Sequence, residues 1–247
     1  MTDRLTVALW KWRANGNWKK YAAGHVNAIV AMVDAHCDVP CDYVLITDDG
    51  EGVDPAVRCV PLERVAAPLP DIRAPQRNAY RRVGIFSAAM REMLGPRLMQ
   101  IDLDTVIVSD ITDLAMREEP FVIWKSPSLG PTGYALNPSF ILLDAGARRD
   151  IHDRYVADPE GIAIAAKKAG FTSTDQAVIS SLAGEDVVTV DHGDGIISFR
   201  DHLDRGAVVP GADAKIVSFM DRFDPADPAL QARCPWIGDH YPYRAAA

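Results

Sequence analysis

The chain has 247 residues, 48% of them hydrophobic and 24% charged, and a formal net charge of −8. This is ordinary globular composition, with length for one large domain or two small ones. The acidic balance and the lack of a dense Lys/Arg stripe argue against sequence-independent binding to nucleic acid, so an anionic ligand must be held locally. The amino-terminal "MTDRLTVALWKW" places Asp3 and Arg4 ahead of about six apolar positions. That run is too short for a signal core or a transmembrane segment, and a cytoplasmic location is expected. Cys37, Cys41, Cys59 and Cys234 are irregularly spaced and read as reduced thiols. His36, Cys37 and Cys41 in "HCDVPC" lack the second ligand pair that a zinc site needs.

In chain order, "LTVALW" (5–10) predicts a buried strand. Val26, Ile29, Val30 and Val33 recur at helical spacing and predict a helix over 21–36. "YVLIT" (43–47) and "VRCVPL" (57–62) predict two more strands. A helix is expected over 76–94, with Val83, Phe86, Met90 and Met93 on its apolar face. "RLMQI" then predicts a strand running into Asp102. Strands alternating with helices imply an α/β fold with a mainly parallel sheet. Further strands are read at 121–125, 139–143, 187–190, 196–199 and 215–219, with helices near 160–169 and 175–183. Thr174 is the expected N-cap of the second of these helices, with Asp175 in its first turn. The Pro- and aromatic-rich tail from Asp224 is expected to be irregular.

The segment "LMQIDLDTVIVSDITDL" (98–114) ends an apolar strand in two aspartates. On an extended segment Asp102 and Asp104 project to one side and can share a hard cation, Mn2+ or Mg2+, whose other sites take phosphate oxygens and water. In open α/β sheets ligands bind beyond the carboxyl ends of the strands, which is where this pair falls. Two chemistries use such a string. "IDLDTVIV" fits a phosphatase of the haloacid-dehalogenase type, with Asp102 as nucleophile and Asp104 as acid/base. It also fits a D-x-D that binds a metal on a nucleotide-sugar diphosphate. The phosphatase motif normally opens its domain, whereas about 100 residues precede it here.

Several ordered segments resemble glycosyltransferase family eight and related GT-A proteins. "IDLDTVIVSDITDL" resembles that family's "LDxDxxVxxDLxxL", "YALNPSFILLDAG" its "FNSGVMLxNxG", "TSTDQAVISSL" its "xxDQDxLN", and "KIVSF" the start of its "KIVHFxGxxKPW". The resemblance implies one GT-A-like domain over 1–247, with a Rossmann-like, mixed and mainly parallel sheet. A nucleotide-sugar-binding half would span about 1–110 and an acceptor-side half about 111–225, with an irregular tail over 226–247.

The same resemblance implies a site. Asp102 and Asp104 would hold the ion. Ala8, Leu9, Lys11, Thr47, Asp48, Arg82, Asp102, Leu103 and Asn137 would bind the nucleotide-sugar, with Arg81 an alternative to Arg82. An arginine fork suits phosphate oxygens. Asp175 and Gln176 would face the transferred sugar. The chain departs from the family where Ser218 replaces the metal-binding histidine and Asp224 falls near the diphosphate lysine; Asp221 is a candidate oxygen ligand beside them. The implied activity is metal-dependent transfer of a sugar, with retention, from a UDP-sugar to a hydroxyl acceptor. A phosphatase and a degenerate GT-A protein that binds without catalysis remain the alternatives.

Overall fold

The computed structural model describes residues 4–13, 21–73, 76–127, 131–171, 174–184, 186–203, 209–220 and 223–245. Its strands are β1 (Leu5–Lys11), β2 (Cys41–Thr47), β3 (Val57–Pro61), β4 (Arg97–Ile101), β5 (Thr105–Ile107), β6 (Phe121–Pro127), β7 (Tyr134–Asp144), β8 (Val188–Val190), β9 (Ile196–Ser198) and β10 (Ile216–Ser218). The α-helices are α1 (Ala23–His36), α2 (Met90–Leu94), α3 (Thr112–Ala115), α4 (Arg149–Ala157), α5 (Pro159–Lys168), α6 (Asp175–Leu182), α7 (Pro228–Arg233) and α8 (Pro235–His240). Seven strands form one sheet in the order β3-β2-β1-β4-β7-β6-β8, and β5-β10-β9 form a second. Strands β3, β2, β1 and β4 are mutually parallel, β7 runs against both β4 and β6, and β8 is parallel to β6. The fold is therefore a mixed, mainly parallel α/β sheet flanked by helices.

The first strands are apolar at nearly every position because both faces are covered. Leu5, Val7 and Leu9 enter one core with Val26, Ile29, Val30 and Val33 of α1. Ala8 and Trp10 enter the other, where Tyr80, Val83 and Phe86 pack. Trp10 also donates to Gln100 Oε1 at 2.9 Å, which satisfies its indole inside the core.

The expected helix over 76–94 is broken. Residues Arg77–Phe86 form a 3-10 helix, and α2 follows as a separate short helix. Three of its five buried residues, Tyr80, Val83 and Phe86, recur every three positions. That spacing lines up on one face at three residues per turn, so the tighter helix buries them better than an α-helix. The tail is not irregular either: α7 and α8 each begin with proline at the first helical positions, where a missing N–H is harmless. Asp227 caps α7 by accepting from the Ala229 N–H at 2.8 Å. Thr174 does precede α6, but its hydroxyl donates to Asp175 Oδ1 at 3.1 Å and makes no side-chain cap. Among the described residues no helix is long and apolar enough to cross a membrane.

Candidate functional site

β4 ends at Ile101, and the D-x-D is a turn between β4 and β5, so the two aspartates are not on an extended strand. The antiparallel neighbour β7 secures the start of that turn. Asp102 N–H donates to the Ser139 carbonyl at 3.1 Å, and the Ser139 hydroxyl donates to Asp102 Oδ2 at 2.8 Å. Asn137 is fully buried, and its Oδ1 accepts from the Ser139 N–H at 2.9 Å. Its amide nitrogen lies 3.4 Å from Ser126 Oγ and 3.5 Å from Met220 Sδ. The side chain is thus enclosed between β6, β7 and Met220. It shapes the β7 segment that presents Ser139 to Asp102.

Arg82 reaches the same carboxylate from the 3-10 helix. A Cβ on Gly84 would lie 1.9 Å from the Val65 carbonyl oxygen, so glycine is what lets this helix sit against the chain after β3. Arg82 Nε donates to Asp175 Oδ2 at 2.6 Å, and a terminal nitrogen donates to Asp102 Oδ1. The guanidinium thus bridges the end of β4 and the start of α6. Burial opposes its charge, but Asp102 and Asp175 outweigh that and hold it protonated above the usual arginine range. Asp175 is only 1% exposed and would be a costly buried anion without this partner. Next to it, half-buried Gln176 makes no side-chain hydrogen bond among the described residues.

Asp104 is buried and hydrogen-bonded by the Tyr21 phenol. Burial first, then the charges of Asp104 and Asp102 and more weakly Asp224, push the Tyr21 phenol well above its ordinary range. Burial followed by Asp224 and Asp104 does the same to Tyr241, whose hydroxyl donates to the Leu103 carbonyl at 3.2 Å. Asp224 Oδ1 lies 3.3 Å from Nε2 of His25, whose ring is edge-on to Tyr21 and Tyr243. Ser139, Tyr21, His25 and Tyr241 escaped the sequence reading. Nothing in their spacing marks them, because each reaches the aspartates through tertiary packing.

The remaining expected ligand contacts fare unevenly. Ala8 and Leu9 are fully buried within the sheet, and Leu103 is 2% exposed in the core with its carbonyl taken by Tyr241, so none offers a side-chain surface to a ligand. Buried Lys11 donates to the Asp49 carbonyl at 2.5 Å and pairs with Asp49 Oδ2 at 3.0 Å. Thr47 Oγ1 also bonds Asp49, while exposed Asp48 accepts from the Arg13 N–H at 2.8 Å. These residues form a hydrogen-bonded corner beyond β1 and β2. Ser218 is buried on β10 opposite Thr105, and neither hydroxyl has a hydrogen-bond partner among the described residues. Asp221 lies outside the described residues. Among the described residues no three His, Cys, Asp or Glu side chains are grouped to hold a metal ion.

Neither models of known families nor curated protein sequences match this chain. Solved structures do. A galactosyltransferase, LgtC, in complex with donor and acceptor sugar analogues is 13% identical, with a TM-score of 0.59 and 96% of each chain covered. The glycosyltransferase GlyE of Streptococcus pneumoniae TIGR4 gives a TM-score of 0.54 at 13% identity, covering 92% of this chain and 57% of GlyE. Mouse xyloside xylosyltransferase 1 gives 0.52 at 15% identity, covering 87% and 97%. At such identities the likeness is one of fold: this chain has the mixed α/β architecture of GT-A glycosyltransferases.

Proposed function

We propose that the chain is a glycosyltransferase that moves a sugar from a nucleotide-diphosphate donor, a UDP-sugar, to a hydroxyl acceptor. The observation that carries this reading is the bridge of Asp102, Arg82 and Asp175, gathered from three segments beyond the carboxyl end of β4 in a fold shared with sugar-transferring enzymes. A guanidinium that already spans two carboxylates can turn its fork to the phosphate oxygens of a donor. The amide of Gln176 stands beside Asp175 and suits hydrogen bonding to the transferred sugar, with retention as the stereochemical outcome.

The donor set suits a hard divalent ion, Mn2+ or Mg2+. Asp102 and Asp104 offer carboxylate oxygens, and the orphaned, buried Ser218 hydroxyl offers a third oxygen on the neighbouring strand. When bound, such an ion neutralises charge on the leaving diphosphate. The protein's own part is to hold Asp102 between Ser139 and Arg82 and to keep Asp104 against the Tyr21 phenol. Asp102 as a phosphatase nucleophile fits poorly, since three parallel strands of the sheet precede its turn, whereas that motif normally opens its domain. Binding without catalysis is favoured by one observation, that Asp224 pairs with His25 where the resemblance calls for a lysine. Metal-dependent hydrolysis of a nucleotide-sugar would count against it. Titration calorimetry with UDP and Mn2+ tests the main reading: Asp102→Asn combined with Asp104→Asn is expected to abolish binding, and undiminished heats in the double variant would overturn the proposal.

A further inference from the structure

At the other end of the sheet, α1 stops at His36 and β2 starts at Cys41, leaving a four-residue connection, Cys37–Pro40. Its backbone is tied on several sides. The His36 carbonyl accepts from Ile111 N–H at 2.8 Å, Asp38 N–H donates to Thr112 Oγ1 at 2.9 Å, and the Pro40 carbonyl accepts from Leu5 N–H at 3.0 Å. The turn folds its two thiols over one carbonyl: Cys41 Sγ lies 3.2 Å and Cys37 Sγ 4.0 Å from the Val39 oxygen. Sharing one carbonyl brings the two thiols close enough to act on each other, and both residues are half-buried, so reagents in water can reach them.

We propose that Cys37 and Cys41 are a redox-active dithiol, a modification site that small-molecule disulfides convert to an intramolecular disulfide. The Cys37 thiolate attacks one sulfur of the reagent, forms a mixed disulfide and expels one small thiolate. Cys41 gives its proton to solvent and attacks the Cys37 sulfur, forming the Cys37–Cys41 bond and expelling the second small thiolate. The protein loses two electrons and two protons, and the reagent becomes two thiols. Because the turn holds the sulfurs together, the second step is intramolecular and outruns release of the adduct.

The local chemistry assigns the roles. The hydrogen bond from Cys41, opposed by burial and aided by the Val39 backbone, lowers the Cys37 thiol to about 7, while the same bond and burial raise Cys41. A thiol that ionises near neutrality is the better attacking group. Asp110 and Asp38 face Cys37 and oppose its ionisation; Asp34 and Arg4 act on Cys41, and the His36 ring lies tilted against His240 close by, 6.3 Å between centroids. Parallel β1 and β2 put this turn roughly 20 Å from the D-x-D end, at about 3.3 Å per strand residue, so it is distinct from the site above.

Incubating the full chain carrying Cys59→Ser with oxidised glutathione, then alkylating in acid and mapping unreduced peptides by mass spectrometry, tests this. The expected product is a Cys37–Cys41 link with no retained glutathione, formed at a rate that rises with pH and levels above about 7. Adding Cys41→Ser should trap glutathione on Cys37. Mapping of the unsubstituted chain should give the same link, which removes any dependence on variant folding. A persistent Cys37–glutathione adduct with Cys41 alkylated in the unsubstituted chain, or both cysteines alkylated after oxidation, overturns the proposal.

Discussion

Two buried cations lie beyond the carboxyl ends of the central strands, and their surroundings differ. Lys11 is 5% exposed and is matched to Asp49, which is 28% exposed and belongs to the loop after the adjacent strand. Arg82 is 12% exposed and is matched to two carboxylates, one on β4's exit and one, 1% exposed, at the head of α6. The first pair closes a local corner, and water can take over from the lysine. The second joins three segments far apart in sequence, and among the described residues nothing else neutralises Asp175. On the proposed function, the cation shared between distant segments couples stability to donor binding, whereas the cation matched to a neighbouring loop holds a local corner together.

The largest effect that would break this comparison comes from Arg82→Ala. Leaving Asp175 buried and unpaired is expected to cost about 3–5 kcal/mol in urea denaturation and to abolish donor binding. Adding Asp102→Asn and Asp175→Asn should restore much of the stability and none of the binding. An unchanged midpoint in the single variant would show that the bridge does not hold these segments together.

Gly84→Ala places a methyl against the Val65 carbonyl and should displace the 3-10 helix that carries Arg82. A loss of about 1–3 kcal/mol is expected, with weakened UDP binding by calorimetry. Wild-type behaviour would mean that the helix can shift without moving Arg82.

Lys11→Met keeps the aliphatic bulk and frees a carboxylate that water can solvate. About 1 kcal/mol of stability should go, with UDP affinity unchanged. A tenfold loss of UDP affinity would place Lys11 in the site after all.

The smallest effect is a pH dependence. The hydrogen bond from Lys11, with help from the Glu51 N–H, holds the Asp49 carboxyl below its ordinary range. A depressed folded-state value means stability that is present above the unfolded value, about 3.9, and lost as pH falls through the folded one. Lys11→Met should therefore lower the melting temperature across the neutral region, flatten the acid limb below about pH 4 and bring the two profiles together there.

Much of the scaffold is legible in the chain. Apolar runs such as "LTVALW" and "YVLIT" name their strands because strands buried on both faces have no polar alternation to blur them. The exit of β4 at Asp102 is legible for the same reason. What the periodicity misstates is helix type and ending: Tyr80, Val83 and Phe86 satisfy a three-residue period that an α-helical template also accepts, and Pro228 and Pro235 read as breakers when they start helices. The site divides likewise. Asp102 and Asp175 are visible as charged residues in apolar or capping contexts, whereas Arg82 is marked only by the family resemblance. That one arginine holds both acids is a tertiary fact, and so is the burial of Asn137, Ala8 and Leu9, which only the family resemblance singles out.

The Tyr241 hydroxyl on the Leu103 carbonyl closes a contact across 138 residues. Long closures of this kind are formed late, because the intervening chain must be ordered before the bond rewards it. The D-x-D turn is thus finished by residues synthesised long after it. A folding intermediate that already holds the parallel strands would carry Asp102 and Asp104 on an unlatched turn, able to meet cations before the proposed site is complete. Refolding in the presence of Mn2+ would then be a kinetic experiment on the tail as much as on the aspartates.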